Sequence, residues 1–323
     1  MKYLVTGAAG FIGHEVVTQL LAQNHEVVGV DNLNDYYDLK LKEKRLADLS
    51  EKKKFEFYQI DIEDMTALES VFSLYEFDAV LNLAARAGVR YSMENPDIYV
   101  STNVQGNLNL LNLAKKYQIK KYVLASTSSL YAGKEMPYTE NLDVSGPISP
   151  YAATKKAAET MCYTYHHLYD MDISIVRYFT VYGPMSRPDM AQLRFMKWID
   201  EEKEIELFGD GEQARDFTHV KDIARGTILA LKPLGYEIIN LGGGQNPISI
   251  NTMIRDLEKL LDKKAKVDKK PSHKADMQTT WADISKAKRL LGWEPVISFE
   301  EGLKDCVNYY LEHIDFYKDI QLN

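Results

Sequence analysis

The run Gly7-Ala8-Ala9-Gly10-Phe11-Ile12-Gly13 restricts the fold of this chain more than any other feature. It follows a short apolar segment, Lys2–Thr6, and opens an amphipathic one, Ile12–Ala22. Glycines at such a strand-to-helix junction permit a tight turn and close backbone approach. The N–H groups at the helix start are then free to hold a diphosphate. A second apolar run, Glu26–Val30, ends at Asp31, 18 positions after Gly13. A carboxylate there accepts from ribose hydroxyls and repels a 2′-phosphate. The expectation is an NAD site, selective against NADP, that uses Gly7, Gly10, Phe11, Ile12, Gly13, Asp31 and Asn32.

The same alternation continues. Strands are predicted over 55–60, 79–83, 121–125 and 173–177, and helices over 65–72, 98–117 and 151–169. Short apolar strands that alternate with helices imply βαβ units. Right-handed crossovers then give a Rossmann-type, doubly wound parallel α/β sheet. After Tyr178 the chain is broken by Gly183-Pro184, Arg187-Pro188, Gly209-Asp210-Gly211 and Gly242-Gly243-Gly244. We read residues 1–179 as the NAD-binding domain, with a return to it near 218–241. Residues 180–323 are read mainly as a smaller α/β substrate domain.

Two strand ends bear on the cofactor. Asp61-Ile62 follows the third strand, and Asp61 is placed either to accept from the adenine amine or to cap the next helix. Leu83-Ala84-Ala85 ends the fourth strand with small residues, as a nearby cofactor or close packing requires.

Tyr151-Ala152-Ala153-Thr154-Lys155 opens a helix after Pro150 and sets Tyr151 and Lys155 on one face. A phenol ordinarily titrates near ~10. A neighbouring ammonium and a positive nicotinamide ring both favour phenolate, so the expectation is a lowered Tyr151 pKa. A shift of ~3 is worth roughly 4 kcal/mol and suits Tyr151 to take a proton from a sugar hydroxyl. Lys155 is expected to hold the nicotinamide ribose as well. The upstream run Ala125-Ser126-Thr127-Ser128-Ser129 reaches the same sheet edge. Thr127, with Ser128 as the alternative, is expected to share the substrate proton.

These motifs together resemble the extended short-chain dehydrogenase/reductases of the NAD-dependent epimerase/dehydratase family, over nearly the whole chain. Arg177-Tyr178-Phe179, Arg215-Asp216-Phe217-Thr218-His219-Val220-Lys221-Asp222 and the closing Leu291-Gly292-Trp293-Glu294-Pro295 look like later motifs of that family. The resemblance implies a nucleotide-diphosphate sugar substrate, with Arg215 on its diphosphate. It also implies a homodimer through the helices 98–117 and 151–169.

A finer resemblance, to the branch acting on UDP-glucuronate, rests on the run from Asp31 to Asp38, on Ala87-Gly88-Val89-Arg90-Tyr91-Ser92, on Phe179-Thr180-Val181-Tyr182-Gly183-Pro184 and on Arg187-Pro188-Asp189-Met190-Ala191. It implies reversible C4 epimerisation through a 4-keto sugar. Ser128, Ser129 and Thr180 then offer hydroxyls to the hexuronate carboxylate, and Arg90 and Arg187 offer charge. Arg187 serves either carboxylate or diphosphate. Related decarboxylases carry Glu where Ser129 stands, and dehydratases carry an Asp-Glu pair near Ser128-Ser129; neither carboxylate is present here. The competing readings are a 4-epimerase of neutral UDP-hexoses, a decarboxylase, or a non-catalytic NAD-binding protein.

Composition narrows the rest. A net charge of −8 argues against nucleic acid as partner. No apolar run reaches the ~18 residues of a membrane span, and the N-terminus reads as a strand and not as a signal peptide. Cys162 and Cys306 match no metal or disulfide spacing, so no metal is expected and a reducing, cytoplasmic setting is. The lysines of 52–54 and 263–270 read as solvated faces.

Overall fold

The protein is described here from a computed structural model covering residues 1–244, 247–271 and 278–322. Seven strands form one parallel sheet: β1 (Lys2–Thr6), β2 (Glu26–Asp31), β3 (Phe55–Gln59), β4 (Ala79–Asn82), β5 (Lys121–Thr127), β6 (Asp172–Tyr178) and β7 (Tyr236–Leu241). Their order is β7-β6-β5-β4-β1-β2-β3. The chain reverses direction between β1 and β4, which pair from Tyr3 against Ala79 to Thr6 against Asn82. That switch point opens a crevice at the C-terminal strand ends.

The strands are legible because both faces are buried, as parallel sheets require. Every residue of β5 is buried. Alternate side chains feed two cores: Tyr3, Val5, Leu81 and Val123 enter one, while Leu4, Val80, Tyr122 and Leu124 enter the other. Helix α1 (Phe11–Ala22) covers the first face, together with Ile223, Ala224 and Trp293. A third core joins Leu193, Phe195, Ile205, Met253, Leu303 and Cys306 to Tyr37 and Leu41, from the segment after β2. Cys162 and Cys306 are free and buried.

Three features depart from the sequence reading. Helix α2 (Leu39–Ser50) escapes the pattern because its inward positions include Lys42 and Arg45 beside Leu41 and Leu49. The helix expected over 98–117 is helical from Pro96 to Lys116, but Val100–Gly106 is wound as a π-helix. Such widened turns re-aim side chains, often near functional sites. Here Asn103 clamps the Arg86 backbone, accepting from its N–H at 2.8 Å and donating to its carbonyl at 3.0 Å. Asn107 accepts from Asn82 and Tyr122 beneath the crevice. Finally, the lysine-rich 263–270 stretch contains an edge strand, Lys266–Lys270, paired with Glu204–Phe208.

Candidate active site

A cavity of about 410 Å³ lies in the crevice, within the ~300–1,000 Å³ usual for ligand sites. One wall is the glycine turn. Gly7 has φ +68°, and its Cα faces the chain at Leu83-Ala84; an added Cβ would lie 2.8 Å from the Ala84 nitrogen. A Cβ on Gly13 would lie 2.0 Å from the Gly7 oxygen. Gly10 caps α1 without a side-chain bond, so the first-turn N–H groups face the cavity unsatisfied by any cap. This cradle fits a dinucleotide diphosphate.

Asp31 ends β2 in the same wall. Its carboxylate accepts from Ala9 N–H at 3.2 Å and Leu33 N–H at 2.9 Å. Asn32 donates to Asp61 at 2.7 Å. Asp61 lines the cavity with Ile62 and is not the helix cap; Asp64 caps the helix Met65–Leu74. Leu83, Ala84 and Ala85 line the cavity as well, so the small residues there serve both the Gly7 contact and the cleft.

At the other end, Ser149 caps the helix Pro150–Tyr169 by accepting from Ala152 N–H at 3.2 Å, which turns Tyr151 and Lys155 into the cavity. Thr127 lines the cavity beside the Tyr151 phenol and acts to lower its pKa. Thr127 in turn donates to Ser129 Oγ at 3.1 Å, so the structure joins Thr127, and not Ser128, to the phenol. The expected lowering of the Tyr151 pKa is not found in the protein by itself. Burial raises it, and outweighs the Thr127 hydrogen bond and the Arg187 charge, which pull it down. Arg187 is a cation from a distant segment that acts on the phenol. Burial also lowers Lys155 to about 8, against the opposing pull of Glu159.

Ser128, Ser129, Thr180 and Arg187 line the cavity beside Tyr151. Arg187 is not free: it holds Asp189 through Nε at 2.9 Å and Nη2 at 2.5 Å. Arg90 and Arg215 lie outside the lining. The Arg90 guanidinium sits 5.1 Å from the Phe208 ring, and Arg215 donates to the Ala214 carbonyl at 2.9 Å.

Several lining residues escaped the sequence reading. Tyr36 lies under Arg187, 5.8 Å from the guanidinium carbon. Lys42 is buried, donates to the Asn34 carbonyl at 2.8 Å and stands 3.9 Å from Asp31. Burial lowers it to about 8. Arg86 lines the cavity with an enclosed Nε that has no hydrogen-bond partner. Only the inward polar positions of an otherwise helical 39–50 pattern hinted at Lys42. Nothing local marked Arg86.

Among the described residues lining the cavity, the carboxylates are Asp31 and Asp61 alone, at the β2–β3 end. The phenol, the lysine, the hydroxyls and the guanidinium gather at the other. A family model described as GDP-mannose 4,6 dehydratase matches residues 4–306. The chain belongs to the NAD-dependent epimerase/dehydratase family. A member from Thermodesulfobacterium geofontis named UDP-glucuronate 4-epimerase is 62% identical over 320 residues, 99% of each chain. A probable UDP-glucuronate 4-epimerase of Rhizobium meliloti is 38% identical over 96% of this chain and 97% of its own. Among solved members, the UDP-glucuronic acid 4-epimerase of Bacillus cereus, in complex with UDP-glucuronic acid and NAD, superposes with a TM-score of 0.90. It is 39% identical and covers 97% of this chain and 99% of its own. The Thermotoga maritima UDP-glucose 4-epimerase, solved with UDP-glucose, superposes at 0.89 with 33% identity, over 97% of this chain and all of its own.

Proposed function

We propose that this protein interconverts UDP-glucuronate and UDP-galacturonate by NAD-dependent epimerisation at C4. The observation that carries the reading is Tyr151 and Thr127 side by side at a cavity end that offers a sugar acid hydroxyls and a guanidinium but no lining carboxylate. A carboxylate pair is what the dehydratases of the family bring to elimination, and Ser128-Ser129 stand in its place. The relatives named for UDP-glucuronate epimerisation support the same substrate.

The glycine turn, Asp31, Asp61-Ile62, Leu83-Ala84-Ala85 and Lys155 hold the dinucleotide. Bound NAD⁺ supplies the acceptor for the C4 hydride and, as NADH, the donor that gives it back to the opposite face of the keto sugar, and its oxidised ring favours the Tyr151 phenolate. Tyr151 takes the proton of the 4-hydroxyl, with Thr127 sharing it, and returns it after the 4-keto sugar has turned in the site. Ser128, Ser129, Thr180 and Arg187 hold the sugar acid against loss of CO₂, and Arg215 serves the nucleotide diphosphate. In this reading residues 1–179 serve mainly the dinucleotide, and 180–323 mainly the sugar nucleotide. A homodimer through the helix Pro150–Tyr169 is part of the proposal; Tyr163, Leu168 and Tyr169 leave an apolar face there 53%, 57% and 41% exposed.

Pure protein incubated with UDP-glucuronate is expected to yield UDP-galacturonate by NMR. A UDP-pentose product would identify a decarboxylase. Equal turnover of UDP-glucose would favour the neutral-sugar reading, which the UDP-glucose epimerase likeness keeps open.

A further inference from the structure

Arg45 takes no part in the chemistry described so far, yet it is fully buried. Its Nη1 donates to the Ala9 carbonyl at 3.1 Å and to the Tyr37 hydroxyl at 2.6 Å. Its Nε and Nη2 fork onto the Met185 carbonyl at 3.2 and 2.6 Å. All three acceptors are uncharged, and among the described residues no carboxylate pairs with it. A buried cation held only by neutral oxygens is costly unless each bond is well placed. It therefore marks a position where geometry, and not charge pairing, is being fixed.

The three anchors come from three separate parts of the site. Ala9 lies inside the glycine turn. Tyr37 lies in the segment that follows Asp31 and lines the cavity. Met185 is buried with φ +57°, the left-handed region that a residue with a side chain seldom occupies. Such a backbone persists only where its surroundings over-determine it. The guanidinium fork on its carbonyl is one such constraint. Two residues later the chain delivers Arg187 to the cavity, where it pairs with Asp189. The direction in which the Met185 carbonyl points sets the direction in which the chain leaves toward Arg187.

We propose that Arg45 is a positioning residue that ties the Met185 turn to the glycine turn, and so fixes Arg187 where it meets the anionic sugar substrate. This rests on the function proposed above. It assigns to a residue outside the cavity a part in substrate affinity, and it makes the dinucleotide wall and the sugar-binding segment one rigid unit.

The test uses the full-length protein with its bound NAD. In Arg45→Lys the ammonium keeps the charge but has no planar fork to span the Met185 carbonyl and the Ala9 turn. The KM for UDP-glucuronate is expected to rise about tenfold or more, with kcat within about threefold and NAD content unchanged. Added to Arg187→Ala, the same change is expected to raise KM little further, because both act through one group. A fall in kcat and NAD content together at unchanged KM would overturn the proposal, as would full additivity with Arg187→Ala. If Arg45→Lys does not fold, Tyr37→Phe removes one anchor and leaves Arg45 in place. A KM rise of about two- to fivefold supports the proposal there, and an unchanged KM overturns it. Wild-type protein inert toward UDP-glucuronate would instead defeat the functional reading itself.

Discussion

Replacement of Lys155 by Met is expected to abolish activity while making the ligand-free protein more stable. Lys155 is 3% exposed, and burial lowers its pKa from the ordinary 10.5 to about 8. At ~1.36 kcal/mol per pKa unit, holding the ammonium in the folded protein at neutral pH costs about 3 kcal/mol. Methionine has nearly the same length and carries no charge. Its introduction strands no carboxylate, because Glu159 is already held by Arg177 at 2.8 and 2.6 Å and by Ser126 at 2.6 Å. With an unfolding entropy of ~2.1 cal/mol/K per residue, a gain of that size raises Tm by about 4 °C. The sign with pH is decisive. The folded-state pKa lies below the unfolded one, so between pH 8 and 10.5 the unfolded chain keeps the proton that the folded chain has lost. Wild-type stability therefore rises through that window, and the advantage of the Met variant shrinks toward zero. Thermal unfolding of both proteins, freed of dinucleotide, at pH 7 and near pH 10 gives the comparison. A Met variant less stable at pH 7, or an advantage that does not change with pH, would refute the account of Lys155 as a charge held against burial.

Two further outcomes are expected. Tyr151→Phe should lower turnover by about a thousandfold, in the range of positioned acid–base groups, while NAD, measured in the purified protein by absorbance after denaturation, stays bound. In Gly13→Ala the new methyl would meet the Gly7 oxygen at 2.0 Å, so the turn must open; NAD binding should fall below detection by calorimetry, with about 1–3 kcal/mol lost from stability in denaturant unfolding.

Much of this site is readable in the chain because its parts are local. The glycines, Asp31, and the Tyr151–Lys155 pair sit at fixed offsets from strand ends and helix starts, where backbone geometry alone sets their place. What could not be read arises where distant segments meet. Helix α2 hid because Lys42 and Arg45 occupy inward positions that an apolar pattern would fill, and both are satisfied by carbonyls of other segments. Arg86 sits in the cavity because Asn103, carried on a π-helical turn, clamps its backbone. In the protein without its cofactor the Tyr151 pKa is raised, for a related reason. Spacing shows that Lys155 shares a face with the phenol, but the depth of burial, and the approach of Arg187 from a loop 36 residues further on, depend on tertiary packing.

The distribution of charge along the cavity favours one reaction over its relatives. Carboxylates stand at the β2–β3 end, where a ribose diol can be received. At the Tyr151 end the groups are a phenol, hydroxyls, a lysine and an arginine. Elimination from a 4-keto sugar calls for an acid and a base besides the redox tyrosine, and no lining carboxylate is placed there to serve. In the proposed function, Arg187 is the group that makes the site selective. Asp189 holds it before any substrate arrives, and Arg187 keeps the Asp189 carboxyl below its usual range against the opposing push of burial. A neutral hexose can offer such a pair hydroxyls but no charge. A hexuronate carboxylate can share the guanidinium, whose planar fork accommodates more than one acceptor, and so converts a closed ion pair into a binding group. Under the proposed function, sugar acids would thereby be distinguished from sugars through a contact already present in the folded chain.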